Sequence, residues 1–342
     1  MLDQAAAERY VAQLYEHLFC RKPKADEFTH WVTAAQKTFA PEQLFEAFIR
    51  SPEYMGRTRV RTQFPIGHYY SPVVDPATVR EYVARSQDTE PGEIEGISLS
   101  TDAMGRFWEK ILPLVRGTPF EDEKSPDRRF YYLNNSFPYA DAIVLRAMLG
   151  RYRPKRVIEI GSGFSSACML DAADEFRLQN FSLTCIEPDP VRLHQIMRPE
   201  DSDCVELIQS PVQDVPLDNF SRLEAGDILF IDSTHVLKTG SDVHYELFSI
   251  LPQLKPGVLI HFHDIQYPFE YPEKWIFETN NSWNEIYALR AFLMYNSNFK
   301  ILFWCSMLAR TNRPLLASTF PLVLRNPGGS IWIEKVGADY RE

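Results

Sequence analysis

At 342 residues, with 45% hydrophobic and 24% charged side chains, the chain can bury a sizeable core and carry a second module. A formal net charge of −10 argues against a broad nucleic-acid or anionic-membrane surface. Five cysteines (Cys20, Cys168, Cys185, Cys204 and Cys305) are scattered with no Cys-x-x-Cys pair, which argues against a disulfide framework or a structural zinc site.

The first residues, Met1-Leu-Asp-Gln-Ala-Ala-Ala-Glu-Arg9, lack the basic start and apolar run of a signal peptide. No later apolar stretch reaches the length of a bilayer span, so the expected location is cytoplasmic. Tyr10, Leu14, Tyr15 and Leu18 recur at helical spacing, Phe28, Trp31 and Val32 open a second stripe, and Pro41 starts a third in its first turn. Residues 1–57 are therefore expected to form a bundle of about three short helices. Residues 58–129 read as a proline-punctuated linker, with an aromatic turn at Gly67–Pro72 and an N-cap at Asp75. An amphipathic helix over Thr101–Val115 either covers a site or packs on a sheet edge.

From about residue 137 helices and strands alternate. Helices are expected over Tyr139–Leu149, Ser165–Phe176, Pro190–Met197, Asp242–Leu251 and Trp283–Tyr295. Strands are expected over Val157–Ile160, Ser182–Ile186, Val205–Gln209, Asp227–Ile231, Gly257–His263, Lys300–Cys305 and Ser330–Lys335. The basic run Arg151, Arg153, Lys155 and Arg156 reads as the solvated lead-in to the first strand. Such alternation means an α/β fold, a mostly parallel sheet covered on both faces. The last two strands, with no clear helix between them, suggest an antiparallel hairpin at one edge.

The chemistry concentrates at strand ends. Gly161-Ser162-Gly163 follows the first strand, so the backbone can turn sharply and admit a ligand close to the main chain. Gly161-x-Gly163-x-x-Ser166 nearly fits a dinucleotide fingerprint, but Glu159 would repel a pyrophosphate and suits the ammonium of S-adenosylmethionine. Glu187 ends the second strand, where a carboxylate can hold ribose hydroxyls of either cofactor. Asp214 follows the third strand and is either an adenine contact or a surface carboxylate. Asp232 ends the fourth strand with His235 three residues on, and His263-Asp264 ends the fifth. His261 and His263 share a face by alternation. Asp232, His263 and Asp264 could hold a divalent cation (Mg²⁺, Mn²⁺ or Fe²⁺), and without one His235 or His263 could take a proton. A lone histidine here would more simply be a bonded core residue. Tyr69, Tyr70, Trp275 and Tyr287 are candidate pocket aromatics, with core packing as the default.

Two resemblances follow from these residues. Tyr10, Val11, Leu14, Tyr15, Leu18, Arg21, Pro23, Trp31, Phe48, Ser51, Pro52, Glu53 and Tyr54 match the pattern of a small bacterial helical domain of unknown function, for which attachment to a protein partner is the expected role. Residues from about 130 to 336, within an expected domain of 130–342, resemble a class I S-adenosylmethionine-dependent methyltransferase of the bacterial branch with Ile-Asp-Ser-x-His and His-x-His-Asp-Ile motifs. Trp283–Tyr287 and Ser330–Lys335 look like the same branch. The fifth strand is also similar to the metal-binding strand of catechol and macrolide-sugar O-methyltransferases, although His263 stands where those carry an acid or amide. The resemblance implies a Rossmann-like methyltransferase sheet with an antiparallel edge. It implies Glu159, Gly161, Ser162, Gly163, Glu187 and Asp214 around S-adenosyl-L-methionine, Asp232, His235 and His263 as catalytic residues, and Asp232, His263 and Asp264 at a metal. The expected reaction is O-methylation of a sugar or small polar metabolite. A nicotinamide-dependent oxidoreductase and a donor-binding adaptor without turnover are the alternatives.

Overall fold

In the computed structural model, residues 2–19, 21–57, 64–87 and 94–337 are described; Cys20 lies outside them. The chain divides into two compact units, Met1–Val73 and Val74–Glu342.

The first unit holds helices Gln4–Phe19, Ala25–Lys37 and Pro41–Ile49, and a fourth, Pro52–Arg57, that periodicity did not reveal because it is under two turns long. Their apolar stripes meet in a core of Val11, Leu14, Tyr15, Phe19, Leu44 and Phe48. Arg21 pairs with the motif's one acid, Glu53, and with Glu27 outside it. Its guanidinium forks onto Glu53 at 2.8 Å through two nitrogens and reaches Glu27 at 2.8 and 2.9 Å. One side chain thus ties the start of the second helix to the fourth.

The second unit is built on a seven-stranded sheet: β1 Arg156–Ile160, β2 Ser182–Ile186, β3 Val205–Ile208, β4 Ile228–Ile231, β5 Leu259–Phe262, β6 Phe299–Trp304 and β7 Ile331–Lys335. The order is β3-β2-β1-β4-β5-β7-β6, with β1 to β5 parallel and β7 antiparallel to both β5 and β6. This is the expected Rossmann-like sheet with its antiparallel edge. The hairpin is not a plain loop, however. Helices Cys305–Thr311 and Arg313–Thr319 fill the β6–β7 connection, each too short and too close to Pro314 for a periodic stripe to stand out. The expected helix Asp242–Leu251 also changes pitch, running as a π-helix over Glu246–Ile250. Helix Thr101–Arg116 buries Met104, Trp108, Ile111 and Val115 and packs on helix Ala140–Tyr152 and on β6.

Register aligns the strand ends. Ile160 pairs with both Ile186 and Ile231, and Ile231 pairs with Phe262. The next residues outward, Gly161, Glu187, Asp232 and His263, therefore form one row along the carboxyl edge. The chain runs from β1 toward β2 on one side and from β4 toward β5 on the other, so a crevice opens between β1 and β4. Among the described residues no helix is long and apolar enough to cross a membrane.

Candidate active site

A cavity of about 530 Å³ sits on this row, walled by Gly161, Ser162, Gly163, Glu187, Asp232, His263 and Asp264. Gly161 has a φ of +80°, and a Cβ there would stand 1.9 Å from the Asp232 carbonyl oxygen. Only glycine permits the first turn to pass so close to the end of β4. Gly163 then precedes helix Phe164–Phe176, and a Cβ on it would press on the Arg192 side chain at 3.1 Å. Glu187 is pinned by two backbone N–H groups, from Ser162 at 3.1 Å and Asp189 at 2.8 Å. Its remaining lone pairs face the cavity of which it is part of the wall.

Glu159 is placed differently. It is fully buried below the turn and is not part of the cavity wall. Its Oε2 accepts from the Ser166 hydroxyl at 2.5 Å and from the Cys185 thiol at 3.5 Å, while Ser166 Oγ in turn accepts from the Gly163 N–H at 3.0 Å. Burial pushes the Glu159 carboxyl up to about 7 against the pull of Ser165, Ser166, Cys185 and Ser162. It shapes the turn from beneath. Asp214 closes the short turn Val212–Asp214, is exposed, and is likewise absent from the wall.

At the other end the acids and imidazoles converge. His263 Nδ1 is 3.4 Å from Asp232 Oδ1 and 3.4 Å from Asp264 Oδ1. His235 Nε2 is 3.6 Å from Asp232 and 3.7 Å from Asp264. Each imidazole has a third carboxylate on its other nitrogen: Glu285 at 2.7 Å from His235 Nδ1, and Asp141 at 3.6 Å from His263 Nε2. Burial opposes charge on both rings, but the surrounding carboxylates win. His235 is raised to about 9, chiefly by Glu285, and His263 is raised well above the usual imidazole range, chiefly by Asp264 and Asp232. Asp232 also resists burial, because the two cations lower it to about 2, whereas for Asp264 burial outweighs them and raises it. His235 and Asp264 both adopt left-handed backbone, with φ of 61° and 57°. Such conformations in non-glycine residues gather at functional sites.

The expected trio Asp232, His263 and Asp264 is thus brought together, with His235 beside it, as a network of ion pairs. Among the described residues, no group of three or more His, Cys, Asp or Glu side chains is arranged so that it could hold a metal ion. His261 is a core histidine, bonded to Ser330 Oγ at 2.8 Å, stacked on Phe230 at 3.9 Å, and kept neutral by burial and the His263 charge. Trp275 is part of the cavity wall with Trp283, whose ring lies 4.4 Å from His235, while Tyr287 donates to Glu270 at 2.5 Å instead. Tyr69 and Tyr70 are exposed in the first unit.

Two site residues escaped sequence reasoning. Asp141, in the first turn of helix Ala140–Tyr152, accepts from the backbone N–H groups of Gly329 (3.1 Å) and Ser330 (2.9 Å). A Cβ at Gly328 would stand 2.2 Å from its carboxylate, so the Gly328-Gly329 pair was the available signal. Glu285 lay inside the Trp283–Tyr287 segment, but nothing local distinguished it from a helix-start acid.

Residues 158–265 match the family model described as a methyltransferase domain. A protein of Archaeoglobus fulgidus carrying only the description of an uncharacterised protein is 35% identical over 170 residues, which is 47% of this chain and 74% of that relative. Among solved structures, the S-adenosylhomocysteine-bound methyltransferase PaMTH1 of Podospora anserina aligns with a TM-score of 0.38 at 14% identity, covering 81% of this chain and all 100% of that one. The O-methyltransferase TomG of Streptomyces achromogenes, in complex with S-adenosylmethionine, aligns with a TM-score of 0.36 at 13% identity over 77% of this chain and 100% of its own.

Proposed function

We propose that this chain, whose residues 158–265 match a methyltransferase-domain family model, is a class I S-adenosylmethionine-dependent methyltransferase and methylates a hydroxyl of a sugar or small polar metabolite at the Asp232–His263–Asp264 end of its cavity. The observation that carries the reading is one cavity with the glycine turn at one end and these three groups at the other. The donor supplies a methyl group already activated on a sulfonium. Gly161 to Gly163 leave room for it beside the main chain, and Glu187 is held ready for ribose hydroxyls.

What remains for the protein is to align the acceptor and manage one proton. Imidazolium rings are poor proton acceptors, so His263 and His235 serve here as cations rather than as the bases the sequence implied. His263 polarises the acceptor hydroxyl, and Asp264, the carboxylate raised by burial, takes its proton. The acceptor oxygen bonds to the methyl carbon, the carbon–sulfur bond breaks toward sulfur, and the proton leaves on Asp264. Asp232 holds both imidazoles in place, and Glu285 fixes the His235 ring. No step is assigned to a divalent cation, because among the described residues no group of three or more such side chains has an arrangement that could hold one.

The test is methyl transfer from labelled S-adenosylmethionine to a panel of sugars and polyols, with chelator and with Mg²⁺ or Mn²⁺. Asp264→Asn, Asp232→Asn and His263→Ala should each lose at least about a hundredfold in rate while still binding S-adenosylhomocysteine. Unchanged rates in all three would overturn the site assignment. Strict dependence on added metal would return Asp232, His263 and Asp264 to the role of ligands. Binding of NAD in place of the donor analogue would favour the oxidoreductase.

A further inference from the structure

Phe164 and Arg192 wall a second cavity as well, of about 330 Å³. Five cationic side chains line it, from Lys124, Arg128, Arg129, Arg192 and Arg198, and no carboxylate does. Arg129 is committed: fully buried, it pairs with Asp171 at 2.9 Å, with Asp174 at 2.8 Å and with Asp201. Those three aspartates more than balance its charge, and they weaken the local potential without supplying a partner for the other four cations. The Arg192 side chain donates to the Ser136 hydroxyl at 3.1 Å and the Arg198 side chain to the Pro126 carbonyl at 3.1 Å, while the Arg198 backbone N–H donates to Asp201 at 2.7 Å. Among the described residues, none of Lys124, Arg128, Arg192 and Arg198 forms an ion pair.

Four unpaired cations around one concavity, in a chain of net charge −10, repel one another and gain from an anion placed between them. Three are guanidinium groups, whose planar forks match phosphate oxygens. Arg192 gives the cavity its direction. It lies against Gly163 and belongs to both walls, so the two cavities adjoin there.

We propose that this cavity is a subsite for a phosphate monoester or diphosphate, and that the phosphate is carried by the methyl acceptor. The second half rests on the methyl-transfer reading; the first does not. Titration calorimetry with inorganic phosphate, pyrophosphate, a hexose 1-phosphate and S-adenosylhomocysteine tests both, on the full chain and on Arg128→Ala/Arg198→Ala. Pyrophosphate should bind saturably to the unaltered protein and about tenfold or more weakly to the double variant, with donor-analogue affinity within about twofold in both. Lys124→Ala, at an exposed position, should lose about threefold and keeps the test open if the double variant misfolds. Equal pyrophosphate affinity in all proteins, or no saturable binding, overturns the subsite. Hexose phosphate binding no tighter than inorganic phosphate overturns the acceptor assignment and makes the ligand a free anion. Failure of S-adenosylhomocysteine to bind, with pyrophosphate still bound, overturns methyl transfer and leaves the subsite.

Discussion

Replacing Glu159 by glutamine should make the protein more stable, and by an amount that depends on pH. The carboxyl is fully buried, its Oε1 has no hydrogen-bond partner, and burial lifts it to about 7. In the unfolded chain it titrates near its ordinary 4.5. A raised acid favours the neutral form in the fold, so stability is undiminished below the unfolded value and falls as pH rises toward the folded one. Each unit of pH in that window costs about 1.4 kcal/mol, which sums to about 3 kcal/mol above pH ~7. Glutamine removes the ionisation and keeps an oxygen for Ser166. Its own burial cost does not change with pH, and the titrations of His235, His263 and the surrounding acids are common to both proteins and cancel. The stability difference between Glu159→Gln and the parent should therefore grow by about 2 kcal/mol between pH ~5.5 and ~8, read from urea midpoints by near-ultraviolet circular dichroism. A difference that stays constant across that range would refute the buried, raised carboxyl.

Three further outcomes follow from the geometry. Gly161→Ala places a Cβ against the Asp232 carbonyl, so it should cost about 2 kcal/mol or more and weaken S-adenosylhomocysteine binding, measured by melting and calorimetry together. Glu285→Gln removes the largest support for the His235 charge, so the His235 ring should titrate about one unit or more below its present value of about 9, as followed by its proton resonances. Arg129→Met strands Asp171 and Asp201, both buried, without their cation, and should destabilise the second unit by about 3–5 kcal/mol in denaturant. An Arg129→Met protein as stable as the parent would mean the network carries no fold energy.

Legibility in the sequence followed the range of the interaction. The parallel strands were readable because each is a short, mostly apolar run with a glycine or proline within three residues of at least one end, and Asp232, His263 and Asp264 were readable because they terminate such runs. Contacts that join distant segments were not. Glu285 and Asp141 reach the histidines only through the folded sheet, and no local pattern marks an acid that will be buried against an imidazole. For the same reason no local pattern signalled the raised His235 and His263 imidazoles, which depend on how many carboxylates the fold assembles around each ring. Glu159 was seen but read as facing the ligand, whereas strand alternation and the serine-lined turn draw it beneath.

The position of β7 between β5 and β6 sets an order of events during synthesis. Ser330, just ahead of β7, bonds both His261 and the carboxylate of Asp141. β6 meets the sheet only through β7. A nascent chain can thus assemble β1 to β5 and the glycine turn before residue 330 is made, but Asp141 waits for the Gly329 and Ser330 groups that bond it. Until then the acids and imidazoles lack their full enclosure. A chain still short of residue 330 would present the glycine turn at one end of the cavity before the groups at the other end are enclosed.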